Sequence, residues 1–274
     1  MAGMTEHSTP ADTPTAAPVL IACAHGTDNA QGRREIDAVR AGISALRPDL
    51  DVREAYVDVQ EPDLVDVVAS LPPGRAAVIV PLLLSVGYHV KVDIARAAAS
   101  REGTVSALPL GPDPRLAHVL QQRLAEAGVA DGDAVVLAAA GSSDACAAED
   151  VAEVQAVLAE LRTGPVRPGF GSKASPSVPA AVAAYREDPG TTPVALAPYL
   201  LAPGYFHDQL AKAGADVVSA PLLPSPVIAE IALSRYDDAV ARASGVGTGK
   251  EAPCARACRA LVSMCVRSGS VQQA

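Results

Sequence analysis

The chain repeats itself, and that restricts its fold more than any other feature. Pro81-Leu-Leu-Leu-Ser-Val-Gly87-Tyr88-His89-Val90 returns as Pro198-Tyr-Leu-Leu-Ala-Pro-Gly204-Tyr205-Phe206-His207, and Val19 to Thr27 shares its layout with Asp133 to Ser142. The separation is about 115 residues in both places, the scale of a domain rather than of a solenoid repeat. Two similar units are expected, at 19–130 and 131–245, related by a pseudo-twofold. A cleft between two such units is a natural ligand site.

Within each unit, short apolar runs alternate with stretches of helical spacing. In the first unit Val19–Ala24 reads as a strand, followed by a helix carrying Ile36, Val39, Ile43 and Leu46 and stopping at Pro48. Val52–Val59 reads as a second strand, Leu64 to Leu71 as a helix closed by Pro72-Pro73, and Ala76–Leu84 as a third strand. A helix over Val90–Ala99, a short strand near Val105 and a helix through Leu116 to Leu124 complete the unit. Such alternation specifies an α/β fold with mainly parallel sheets covered by helices, here two flavodoxin-like or Rossmann-like halves.

Composition excludes several functions. A net charge of −9 argues against a nucleic-acid partner, which would require a basic face. No apolar stretch approaches the ~20 residues that span a bilayer, so no membrane partner is expected. The five cysteines are odd in number and scattered, as in a reducing compartment, and the cytoplasm is the expected location. Residues 1–18, rich in Thr, Ala and Pro, read as a disordered lead.

The chemistry concentrates at strand ends. His25-Gly26 follows the first strand, and Tyr88-His89 lies on the loop after the third. In a 2-1-3-4 strand order these two ends flank the switch point, where such folds bind ligands. His25 and His89 would then face each other, with Asp58 closing the second strand beside them. Two imidazoles and a carboxylate suit a divalent metal, the removal of protons from a substrate, or both. The second unit carries Ala140 and Phe206 at the equivalent places, so one site per chain is expected.

Ala24-His25-Gly26-Thr27, Tyr56-Val-Asp58-Val-Gln-Glu61-Pro62 and Pro81 to Ile94 resemble the class II tetrapyrrole chelatases, most closely the sirohydrochlorin chelatase branch of siroheme and cobalamin synthesis. The resemblance implies ATP-independent insertion of Fe2+ or Co2+ into sirohydrochlorin, with iron favoured, by a lyase without an organic cofactor. It places metal binding and proton acceptance on His25 and His89. It puts the acidic position at Asp58, where relatives often carry Glu, and substrate contacts at Gly26, Ser85, Gly87 and Tyr88. It further implies a monomer acting as an internal pseudo-dimer. The alternative function is a carrier that holds a tetrapyrrole or metal without turnover.

The carboxylates of such a substrate need donors, and Arg33, Arg34, Lys91, Arg96 and Lys173 lie near expected loops. The tail, 246–274, reads as a flexible segment holding Cys254, Cys258 and Cys265. On a helix these align with Leu261, but at ~1.5 Å rise per residue Cys265 is too far from the others to share a metal. An iron–sulfur cluster there is not expected.

Overall fold

The computed structural model describes residues 16–188, 190 and 193–245. The first half runs β1 (Val19–Ala24), α1 (Ala30–Leu46), β2 (Val52–Tyr56), α2 (Leu64–Ala69) and β3 (Ala77–Pro81). A π-helical segment (His89–Ile94) then runs into α3 (Ala95–Ala99), before β4 (Thr104–Ser106) and α4 (Pro114–Glu126). The second half runs β5 (Ala134–Ala139), α5 (Ala145–Glu160), β6 (Val166–Phe170), α6 (Val178–Glu187), β7 (Val194–Tyr199), α7 (Tyr205–Leu210), β8 (Val217–Val218) and α8 (Pro226–Ala243). Side-chain oxygens of Asn29, Asp63, Asp113, Asp144 and Ser177 accept first-turn amides, which fixes where α1, α2, α4, α5 and α6 begin.

The halves form two wholly parallel four-stranded sheets with orders β2-β1-β3-β4 and β6-β5-β7-β8. Parallel strands buried on both faces read as near-continuous apolar runs, and β1, β3, β5 and β7 are buried at every position. One face of each sheet joins a core common to both halves. Leu20, Ala22, Val78 and Val80 meet it from one side and Val135, Leu137, Ala195 and Ala197 from the other, with α1, α4, α5 and α8 between. The outer faces have separate small cores, Ile21 and Ile79 against Leu64, Val68 and Ile94, and Val136 and Leu196 against Val182 and Tyr185. Each fully buried Leu or Ile in these layers contributes about 1.5–3 kcal/mol.

The last helix of each half crosses to the other. α4 packs on α5 and β7, whereas α8 packs on α1, β3 and β4. One arginine clamps each crossing. Arg235 of α8 donates to the carbonyls of Pro109, Leu110 and Pro112 at 2.9–3.0 Å, and Arg123 of α4 donates to those of Leu222 and Pro224.

Three sequence expectations are corrected. The second strand ends at Tyr56 rather than Val59, because Val59 takes a left-handed conformation (φ 57°) that a strand cannot continue through. The helix expected over 90–99 begins as a π-helix at His89. At the front, Ala16 to Pro18 are not part of a loose lead. Arg75 donates to the Ala16 and Ala17 carbonyls, and the Tyr236 hydroxyl donates to that of Pro18. The rest of the lead and the tail with Cys254, Cys258 and Cys265 lie outside the described residues.

Candidate active site

Strand register shows which positions correspond between the halves. Cys23 pairs with Pro81 and Ala138 with Pro198. Counting on from these pairs, His25 corresponds to Ala140 and His89 to Phe206. The turns after β1 and β5 are alike too: Gly26 (φ 96°) and Gly141 (φ 88°) are both left-handed, and a Cβ on either would run into the carbonyl of the facing loop, at Asp58 or Ser172. Both halves therefore build the same crevice, and only the first places imidazoles at these two corresponding positions.

Those imidazoles meet. The His25 and His89 rings lie 4.7 Å apart between centroids and cross at 85°. They open on a cavity of about 690 Å³ walled by both halves, within the usual range for small-molecule sites. Gly26, Ser85, Gly87 and Tyr88 line it, and Tyr199, Leu201, Phe206 and His207 line it from the second half. Two aromatic side chains stand out at the same place in each half: Tyr88 is 63% exposed and Tyr205 73%. They offer flat apolar faces to a ligand.

Asp58 does not join the pair. Its exposed carboxylate accepts the Val59 amide at 2.8 Å, and it is not among the residues that line the cavity. The cause is local. Once β2 stops at Tyr56, Val57 and Asp58 still donate to the Ala24 and His25 carbonyls, so this backbone follows β1 while the Asp58 side chain folds back on its own turn. Among the described residues no three His, Cys, Asp or Glu side chains are grouped so as to hold an ion.

A different carboxylate touches the site. Asp93 Oδ2 lies 2.8 Å from Nδ1 of His89. A carboxylate only accepts, so Nδ1 is the donor, and in the neutral ring Nε2 is the nitrogen left with a lone pair for a metal or a substrate proton. Asp93 lies within the motif quoted above without a role there. Its four-residue spacing from His89 on a helical segment is the signal that points to it.

The loop that carries His89 is held from the other half. Tyr199, at the end of β7, donates its hydroxyl to the Leu84 carbonyl at 2.9 Å, and burial pushes the tyrosine pKa upward, so the proton stays in place. Buried Asp150 of α5 accepts the Val86 amide at 2.7 Å. Lys91, with its side chain only 8% exposed, pairs with Asp144 at 2.6 Å and approaches the Cys146 sulfur at 3.5 Å. Burial would raise Asp144, yet the Lys91 ammonium and the Cys146 amide outweigh it and hold the carboxyl below its ordinary range. None of these three partners is visible from the sequence of the first half.

These features define a class: a doubled parallel α/β protein whose shared cleft carries an imidazole pair on one side only. The chain belongs to the CbiX family, whose model matches residues 19–127 and again 134–239. Among solved structures it is similar in fold to SirB from Bacillus subtilis with Fe3+ (TM-score 0.71, 22% identity, covering 84% of this chain and 98% of that one). It is similar also to the sirohydrochlorin chelatase SirB from Bacillus subtilis subspecies spizizenii in complex with cobalt (TM-score 0.68, 20% identity, 84% and 97% covered). A third likeness is to CbiX, described as the terminal enzyme of siroheme biosynthesis in denitrifying bacteria (TM-score 0.59, 23% identity, 79% and 98% covered). No curated protein matches the sequence. No described helix is long and apolar enough to cross a membrane.

Proposed function

We propose that the chain is a lyase that inserts a divalent metal, iron in preference to cobalt, into sirohydrochlorin, and that a single chain suffices because its two halves stand in for two subunits. The observation that carries this is the His25–His89 pair, 4.7 Å apart on one wall of a cleft shared by both halves of a CbiX-family chain. The metal-bound proteins of similar fold carry Fe3+ or cobalt, and imidazole accepts either metal.

Insertion replaces two pyrrole N–H protons with one M2+ ion. Charge balances in that exchange, and no coupled hydrolysis of ATP is required. Imidazole suits both sides of it, because a neutral ring offers one lone pair, either to the incoming metal or to a departing proton. In this reading His89 offers Nε2 while Asp93 holds Nδ1–H and fixes the orientation of the ring. His25 offers the second lone pair from the β1 turn. Two protein ligands leave the other coordination positions of the ion open for transfer to the macrocycle. Tyr88 and Tyr205 flank the planar substrate.

The test is anaerobic mixing of sirohydrochlorin with Fe2+ or Co2+ at substoichiometric protein, followed by absorbance. Many turnovers per chain are expected, faster with iron. Release of no more than one product per chain would mark a carrier instead.

A further inference from the structure

We infer that the second half, which lacks the counterparts of His25 and His89, holds a carboxylate on the rim of the macrocycle, with Lys173 as the cation and Ser142 supplying neutral donors; the identity of this ligand rests on the proposed reaction. Of the five basic residues near the expected loops, only Lys173 lines the cavity. Arg33 is spent on the Thr27 carbonyl and the Asp28 carboxylate, and Lys91 is spent on Asp144. Asp28 is the other lining residue of fixed charge, and Arg33 neutralises it at 3.2 Å. Lys173 has no ion-pair partner among the described residues. The cleft of a chain with net charge −9 therefore presents one uncompensated positive charge.

Its position is built in. Lys173 corresponds to Val59: both follow the second strand of their half, both are left-handed (φ 56° and 57°), and both line the cavity. The turn is the same in both halves, so its backbone does not dictate a lysine. What differs between the halves is an apolar side chain on the imidazole side and an ammonium on the other.

The neighbouring loop has changed in the same direction. In the first half the Thr27 amide donates to the Gln60 side chain at 2.9 Å. Ser142 takes the place of Thr27 and Ala174 that of Gln60, so no side-chain carbonyl answers the Ser142 amide, and no described residue accepts from it. The Ser142 hydroxyl accepts the Asp144 amide at 3.1 Å, which leaves its own proton to donate. Ser172 ties the two loops together, its amide and hydroxyl both donating to the Ala140 carbonyl at 2.9 and 3.2 Å. An amide, a hydroxyl and an ammonium on adjoining loops make a receptor for an acceptor-only group. Ser142 also borders the histidine loop, its Oγ standing 3.5 Å from where a Gly87 Cβ would lie. A carboxylate held here fixes one side of the ring next to the loop that carries His89.

Steady-state insertion with sirohydrochlorin, measured for the wild type, K173A, K173E and K173R at two ionic strengths, tests this. K173A is expected to raise KM for sirohydrochlorin about fivefold and K173E more, with kcat within about twofold and K173R near wild type, as loss of one charge-assisted contact predicts. Wild-type KM should rise with salt, and that dependence should flatten in K173A. Cobalt titration in the absence of macrocycle should be unchanged in all variants. KM values within twofold of wild type in both K173A and K173E overturn the inference. If the wild type inserts no metal, the proposed reaction falls, and metal-free absorbance titrations of sirohydrochlorin decide the site separately: equal affinity in K173E overturns it, weaker binding upholds it.

Discussion

Asp150, buried in α5, accepts the Val86 amide at 2.7 Å, three residues ahead of His89 and in the opposite half of the chain. The half without the histidine pair thus sets the position of one of its members. Asp150→Ala leaves a buried amide without its acceptor, a cost of about 1–3 kcal/mol. Insertion should fall at least tenfold, with a lowered Tm. Asp150→Asn, which can still accept, should recover much of both. Measured rates and melting curves for the two variants check this, and equal losses would mean that only the charge matters.

Truncation of either imidazole addresses the site itself. His25→Ala and His89→Ala should each lower insertion by at least about 100-fold, the range for loss of a general base, while circular dichroism stays native. The double variant should be little worse than either single one, because the pair acts as a unit. His207→Ala should remain within a few fold of wild type. Damage from His207→Ala equal to that from His89→Ala would refute a single-sided site.

Asp93→Asn keeps the shape beside His89 and removes the charge. Outer partners of this kind typically contribute 10–100-fold to metal affinity or activity. Cobalt titration of the variant should show weaker binding within that range, and an unchanged titration would reduce Asp93 to a surface contact.

The acid response tests the support of the histidine loop. The pKa of Asp144 is lowered in the folded chain, so the stability from its pairing with Lys91 is complete above the unfolded value of about 3.9 and is lost only as pH falls through the lower folded value. Near-UV circular dichroism should therefore hold steady from pH 8 to 5. A tertiary signal lost within that window would mean that groups other than this pair set the acid limit of the fold.

Much of this was legible in the residues. The repeat, the strand order and the meeting of His25 with His89 all follow from apolar runs that end in distinctive loops, because parallel strands advertise themselves and their C-terminal ends converge by topology. The direction of the Asp58 carboxylate was not legible, since it accepts the Val59 amide within a turn that no pattern announces. Asp150, Asp144 and Tyr199 were invisible for another reason. They act across the two halves, and local periodicity carries no record of which distant backbone amide a buried carboxylate will meet. Lys173 could be named but not chosen from five basic residues until ion pairs had accounted for Arg33 and Lys91.

The crossing of α4 and α8 constrains how this chain can be divided. A cut in the connection between Glu126 and Ala134 leaves each fragment with a terminal helix whose docking surface lies on the other fragment, and with an inner sheet face stripped of that helix. Neither fragment should fold by itself. Expressed together, they should recombine into one particle, Arg123 and Arg235 each recapturing carbonyls on the opposite piece. The duplication is therefore an interlocked pair rather than two beads on a string, and a lesion in the half without the His25–His89 pair can silence the half that has it.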